Sequence, residues 1–145
     1  MNENKGLTKF LDAQNQIYLT ALAEINRGKK ETHWMWFIFP QIKGLGHSST
    51  AKFYGIADLD EAENYLAHPV LGRHLIEISE ELLKINGKSA TEIFGSPDDL
   101  KLRSSMTLFS QTGNTYPIFQ QVLDKFFSGQ HDKMTLKILE QTGDV

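Results

Sequence analysis

The chain reads as an all-α protein, a single-domain bundle of about six to eight helices, several of them short. Three observations carry that reading. Apolar residues recur at helical spacing over long stretches, and prolines, glycines and capping side chains stand where those stretches begin and end. No segment shows sustained two-residue alternation or an Asn-Gly turn between apolar runs, so a substantial sheet is not expected.

Between Thr8 and Asn26 the residues Phe10, Leu11, Ile17, Tyr18, Ala21, Leu22 and Ile25 share one side at helical spacing, and Gly28 follows as a stop. The aromatic run from Trp34 to Phe39 predicts a short buried helical turn ended near Pro40, with a strand as the competing reading. Gly44-Leu-Gly-His-Ser-Ser-Thr50 is a loop, and Ser48 or Ser49 can cap a helix through Ala51, Phe53 and Tyr54 that Gly55 weakens. A short helix over Asp60 to Ala67 follows and stops before His68-Pro69.

From Pro69 to Asn86 a narrow apolar stripe of Leu71, Leu75, Ile78, Leu82 and Ile85 faces away from Arg73, Glu77, Glu80, Glu81 and Lys84. Gly87 then supplies a left-handed stop. Ala90 to Phe94 adds a turn, and Ser96-Pro-Asp-Asp99 predicts an N-cap serine and a helix to about Gln111. Pro117 opens a helix closed by Gly129, and a last helix runs from Asp132 to about Glu140. Ile25-Asn26 and Ile85-Asn86 each precede a glycine and a lysine, and Ile38-Phe39-Pro40-Gln41 resembles Leu108-Phe109-Ser110-Gln111. That echo admits two weakly similar halves.

Composition bounds the function. At 145 residues, with 40% hydrophobic and 23% charged residues, one domain spanning 1–145 is expected, with 1–6 flexible and roughly 70% of the chain's surface buried. There are no cysteines, which excludes disulfides, thiolate zinc sites and nucleophilic-cysteine enzymes. No leader or membrane span is visible, which points to the cytoplasm. A formal charge of −3 argues against a nucleic-acid partner, although Lys29, Lys30, Lys43 and Lys52 offer a local basic strip. The histidines do not fall at metal-ligand spacing, and the sequence implies no metal and no particular cofactor.

Polar residues placed among apolar ones are the best pointers to a site, because a buried polar group must be satisfied or costs stability. Gln14 lies between Phe10 and Tyr18. On the helix through Leu100 to Gln111, Lys101, Ser104 and Ser105 fall within the arc of Leu100, Leu102, Met106, Leu108 and Phe109, while Arg103, Thr107 and Ser110 point away. Lys101 can pair with Asp98 or anchor an anion. A Ser/Lys nucleophilic pair fits the spacing but has no other support. Trp34 and Trp36 can serve as core, partner surface or stacking platform. His33 and Gln41 bracket that run.

These positions coincide with motifs of a known family. Ala13-Gln14, His33-Trp-Met-Trp-Phe-x-Phe-Pro-Gln41, Gly44-Leu-Gly46 with Ser48, Tyr65-Leu-x-His-Pro69 with Leu71-Gly72, and Phe94-Gly95 before Lys101-x-x-Ser-Ser-Met-Thr-Leu-Phe109 together resemble the bacterial domain of unknown function 1810. Its members sometimes carry the mistaken label calpastatin. The resemblance is nearly full length and implies a compact helical fold, without an activity to transfer.

The resulting expectation is a cleft in which Gln14, Trp34, Trp36, Gln41, Ser48, Lys101, Ser104 and Ser105 meet an anionic metabolite such as a nucleotide. Whether a reaction follows binding is open, and His33 is then the candidate acid or base, because histidine titrates nearest neutral pH. The rival expectation is an interaction module that presents the Trp34 to Phe39 aromatics to another protein or a second copy.

Overall fold

The long periodic stretches all fold as helices in the computed structural model, which describes residues 6–142. In chain order the helices are α1 (Thr8–Asn26), α2 (Met35–Ile38), α3 (Ser49–Tyr54), α4 (Leu59–Ala67), α5 (Leu71–Leu83), α6 (Ala90–Phe94), α7 (Asp98–Ser110), α8 (Pro117–Phe127) and α9 (Lys133–Gln141). The architecture is all-α. Among the described residues there are nine helices, six of seven residues or more, and no strand. The flexible start expected for 1–6 lies, apart from Gly6, outside the described residues. No helix among them is long and apolar enough to cross a membrane.

Helix boundaries follow local chemistry. Ser48 accepts the Ala51 amide at 3.1 Å, Asp58 the Glu61 amide at 2.9 Å, and Ser89 forms a reciprocal capping box with Glu92. Gly28 follows the end of α1 at φ 79°, a conformation that costs a residue with Cβ, whereas α5 ends at Leu83 with Lys84 as its C-cap, short of the expected Asn86, and Gly87 (φ 77°) lies in the loop beyond it. Two further boundaries show what local chemistry overrides. Ser96 does not cap α7, because the carboxylate of Asp99 holds that turn instead, accepting from the Leu100 amide at 2.8 Å and the Thr91 hydroxyl at 2.6 Å. α8 ends on Ser128, itself left-handed at φ 55°, one residue before Gly129.

α7 is the axis of the molecule, packed against α2, α4, α6, α8 and α9. Leu102, Met106, Leu108 and Phe109 are fully buried. Thr107, expected to point outward, is buried as well, because the start of α9 lies on it and the Asp132 amide donates to its hydroxyl at 2.8 Å. A chain of tilted and edge-on rings, Phe10 to Tyr65 (5.2 Å), Tyr65 to Phe109 (5.4 Å) and Phe109 to Phe119 (5.9 Å), stitches α1, α4, α7 and α8 together.

The segment joining α1 to α2 is set by one buried acid. Glu24 is 2% exposed, yet its carboxylate accepts from the amides of Glu31 (2.8 Å) and Thr32 (3.1 Å), the Thr32 hydroxyl (2.7 Å) and the Trp34 indole N–H (2.8 Å). Burial alone favours the neutral acid, but these four donors outweigh it and hold the carboxyl down from 4.5 to about 2. A depressed carboxylate stabilises the fold above its unfolded pKa and loses that contribution as pH falls through the folded value. The shift corresponds to about 3 kcal/mol. In denaturant melts, Glu24→Gln is expected to lie below the native chain by about that amount at neutral pH, the gap narrowing from pH 4.5 toward 2. A gap that does not change with pH contradicts the assignment.

Candidate functional site

A cleft opens where the loop before α3 folds back over α2 and α7. Ile42 and Ile56, both buried, form an isolated parallel bridge: the Lys43 amide donates to Ile56 O and the Ile56 amide to Gln41 O, each at 2.8 Å. Between these pins only Leu45 and Tyr54 pack partly against the core, and α3 fully buries none of its side chains. Close approach requires glycine here. A Cβ on Gly55 would come within 2.8 Å of the Lys43 Cα, and one on Gly46 within 2.5 Å of the Ala51 Cβ.

The cleft encloses about 350 Å³, at the lower end of small-molecule sites. Trp36 and Gln41 form one wall. Leu45, His47, Ser48 and Tyr54 come from the loop and α3, and Pro97, Leu100, Lys101 and Ser104 from the start of α7. Lys101 is the fixed cation among them. Its ammonium lies 3.3 Å from Asp98 Oδ1 and 4.9 Å from the centre of the Trp36 ring. Asp98 Oδ2 lies 3.0 Å from Lys30, whose side chain is only 6% exposed and whose ammonium sits 4.9 Å over Trp34. Two lysines, each on a tryptophan face, thus share one carboxylate. Ser104 ties the floor to α9, its hydroxyl 3.2 Å from both Leu100 O and Asp132 Oδ2.

The family described as "Protein of unknown function (DUF1810)" matches residues 4–139. The chain belongs to the DUF1810 family. Its fold is also similar to the crystal structure of the conserved hypothetical protein Rv1873 from Mycobacterium tuberculosis, at 44% identity and a TM-score of 0.90. That match covers 92% of this chain and 96% of the other. No curated protein matches.

Of the residues singled out in the sequence, this DUF1810 fold brings Trp36, Gln41, Ser48, Lys101 and Ser104 together in the cleft. The other four lie elsewhere. His33 is exposed in the turn before α2 and does not line the cleft; the imidazole at its rim is His47. Trp34 is fully buried, its indole N–H committed to Glu24. Ser105 is fully buried, and its hydroxyl has no hydrogen-bond partner among the described residues. The expected aromatic recognition surface is reduced too, because Trp34, Ile38 and Phe39 are core and only Trp36 and Phe37 of that run retain solvent access. Lys30 is withdrawn from the basic strip by its ion pair. No group of three histidines or carboxylates placed to hold a metal occurs among the described residues.

Gln14 faces inward as its position on the helix requires, and its amide is spent on three crossings. It donates to Phe37 O (2.7 Å) and to the Tyr65 hydroxyl (2.8 Å), and its Oε1 lies 2.8 Å from His74 Nδ1. One side chain therefore joins α1 to α2, α4 and α5. Tyr18 stacks on His74 with ring centres 3.6 Å apart and donates to Glu77. Burial pushes the His74 pKa below 6.5, helped by Arg73 and opposed by Glu77, so the ring is neutral with its proton on Nδ1 facing Gln14. This contribution to stability is complete above pH 6.5 and declines as pH falls through the lowered value. A ¹H–¹⁵N NMR titration should show His74 titrating below 6.5 as the Nδ1–H tautomer. A ring titrating at or above 6.5 contradicts the buried neutral imidazole.

Proposed function

We propose that this domain binds a small anionic metabolite in the cleft between α2, α7 and the loop carrying α3. The observation that carries the reading is Lys101: a cation held on the face of Trp36 at the edge of a mostly apolar recess, with one acceptor, Asp98, for three donors. Further hydrogen-bonding groups stand around it. The Gln41 amide, the His47 ring and the Ser48 hydroxyl, whose proton is free while its oxygen takes the Ala51 amide, are placed to orient a polar head group. Few convergent polar groups in an apolar concavity are the usual composition of a ligand site.

If chemistry follows binding, His47 takes the acid–base role expected of His33, since it is the imidazole lining the recess. The reading is tested by a thermal-shift screen of carboxylate and phosphate metabolites on the native chain, Lys101→Ala, Trp36→Ala and His33→Ala. A ligand at about 100 times its Kd adds about 2.7 kcal/mol, a rise of roughly 5–10 °C for a domain of this size. Hits are expected to disappear in Lys101→Ala and Trp36→Ala and to persist in His33→Ala. Hits that survive both cleft variants place binding elsewhere and overturn the proposal.

A further inference from the structure

We infer that the cleft selects a ligand carrying a single negative charge on an apolar, aromatic body, an aromatic carboxylate rather than a phosphate monoester or a nucleotide. The inference rests on the cleft being a ligand site and narrows what that site accepts.

The argument is one of local charge balance. Lys101 offers one positive charge to the recess, but Asp98 stands 3.3 Å from it and is itself shared with Lys30 at 3.0 Å. One turn further along α7, Ser104 connects the cleft floor at 3.2 Å to Asp132, and Arg103 faces that carboxylate at 3.8 Å. Asp99, buried beside Asp98, is a third carboxylate against these three cations, so an anion in the recess meets Lys101 alone, the one lysine or arginine that lines it among the described residues. Lys43 and Lys52 on the overlying loop are exposed and do not line it.

A phosphate monoester carries nearly two negative charges above pH 7. Its second charge would enter an apolar cleft with no cation of its own and with Asp98 and Asp132 nearby, and an uncompensated charge out of water is costly. A carboxylate matches the single cation that lines the recess. The apolar part of the lining, Trp36, Ile42, Leu45, Tyr54, Pro97 and Leu100, favours a flat hydrocarbon body beside the few polar groups that meet the head group. Asp98 is in this account a specificity-determining residue: it lowers the charge that Lys101 presents.

The test compares three probes of one shape, 2-naphthoate, 2-naphthyl phosphate and 2-naphthamide, by ¹H–¹⁵N NMR titration of the native chain at pH 7.5. 2-Naphthoate is expected to shift the Trp36, Leu45 and Lys101 signals and to bind on the order of tenfold more tightly than either other probe. Lys101→Met, which keeps the apolar stem, should abolish that preference over the amide. Asp98→Asn, with its fold checked by the same spectra, should shift the preference toward 2-naphthyl phosphate by on the order of tenfold. Phosphate binding as tightly as carboxylate in the native chain sinks the charge selection while leaving the ligand cleft standing. Failure of all three probes to shift cleft signals overturns the selection and the cleft reading together. An Asp98→Asn preference unchanged from the native chain removes Asp98 from the account.

Discussion

The carboxylate of Glu24 accepts hydrogen bonds from two backbone amides, a hydroxyl and the Trp34 indole, and the path of the chain from Lys30 to Gln41 follows from it. A buried carboxylate is tolerated only when donors surround it, so the loop after α1 has to bring Glu31, Thr32 and Trp34 to that point. With Trp34 drawn into the core against Phe39 and Phe94, the next helical turn places Met35 and Ile38 inward and leaves Trp36 at the surface. One wall of the cleft is thus a consequence of an interaction on the far side of α2.

The same anchoring organises the charges. Lys30 lies over the Trp34 ring and reaches Asp98 at the start of α7, and Asp98 in turn meets Lys101 over Trp36. This ladder joins the buried acid to the cleft through side chains that each have a second partner. It also moderates the field in the recess, because a lysine paired with a carboxylate attracts an anion less strongly than a free one. Gln14 performs the corresponding task among α1, α2, α4 and α5, where its three hydrogen bonds fix how the first half of the chain meets the helix α5.

Much of the fold was legible in the residue pattern, since α1, α5 and α8 each have one wet face and one dry one, and left-handed Gly28 and Ser128 follow the ends of α1 and α8. α7 was harder for a physical reason. A helix packed against five others has no polar face, so its pattern could not tell that Thr107 is buried or that Leu100 stands half exposed at the cleft. Five of the nine residues singled out in the sequence, Trp36, Gln41, Ser48, Lys101 and Ser104, line one cleft. Gln14, Trp34 and Ser105 are buried away from it, because inward-facing polarity is equally the mark of a cross-brace and of a ligand site, and His33 lies exposed in the segment before α2. Glu24 carried a readable signal, lying within about 40° of Phe10 on the helical wheel. His47, Leu45 and Tyr54 did not, because their approach to α7 depends on the Ile42–Ile56 bridge, a pairing between positions distant in the chain.

The dependence of the structure on the Glu24–Trp34 contact is measured most directly by a double-mutant cycle on unfolding free energy, combining Glu24→Gln with Trp34→Phe at pH 7. Each single change also alters packing or charge elsewhere, and the cycle subtracts those effects. A charge-assisted hydrogen bond shielded from water predicts a coupling of about 2 kcal/mol. A coupling of about 0.3 kcal/mol or less would mean that the indole and the carboxylate act independently, and the account of how this chain sets Trp36 at the cleft would fall.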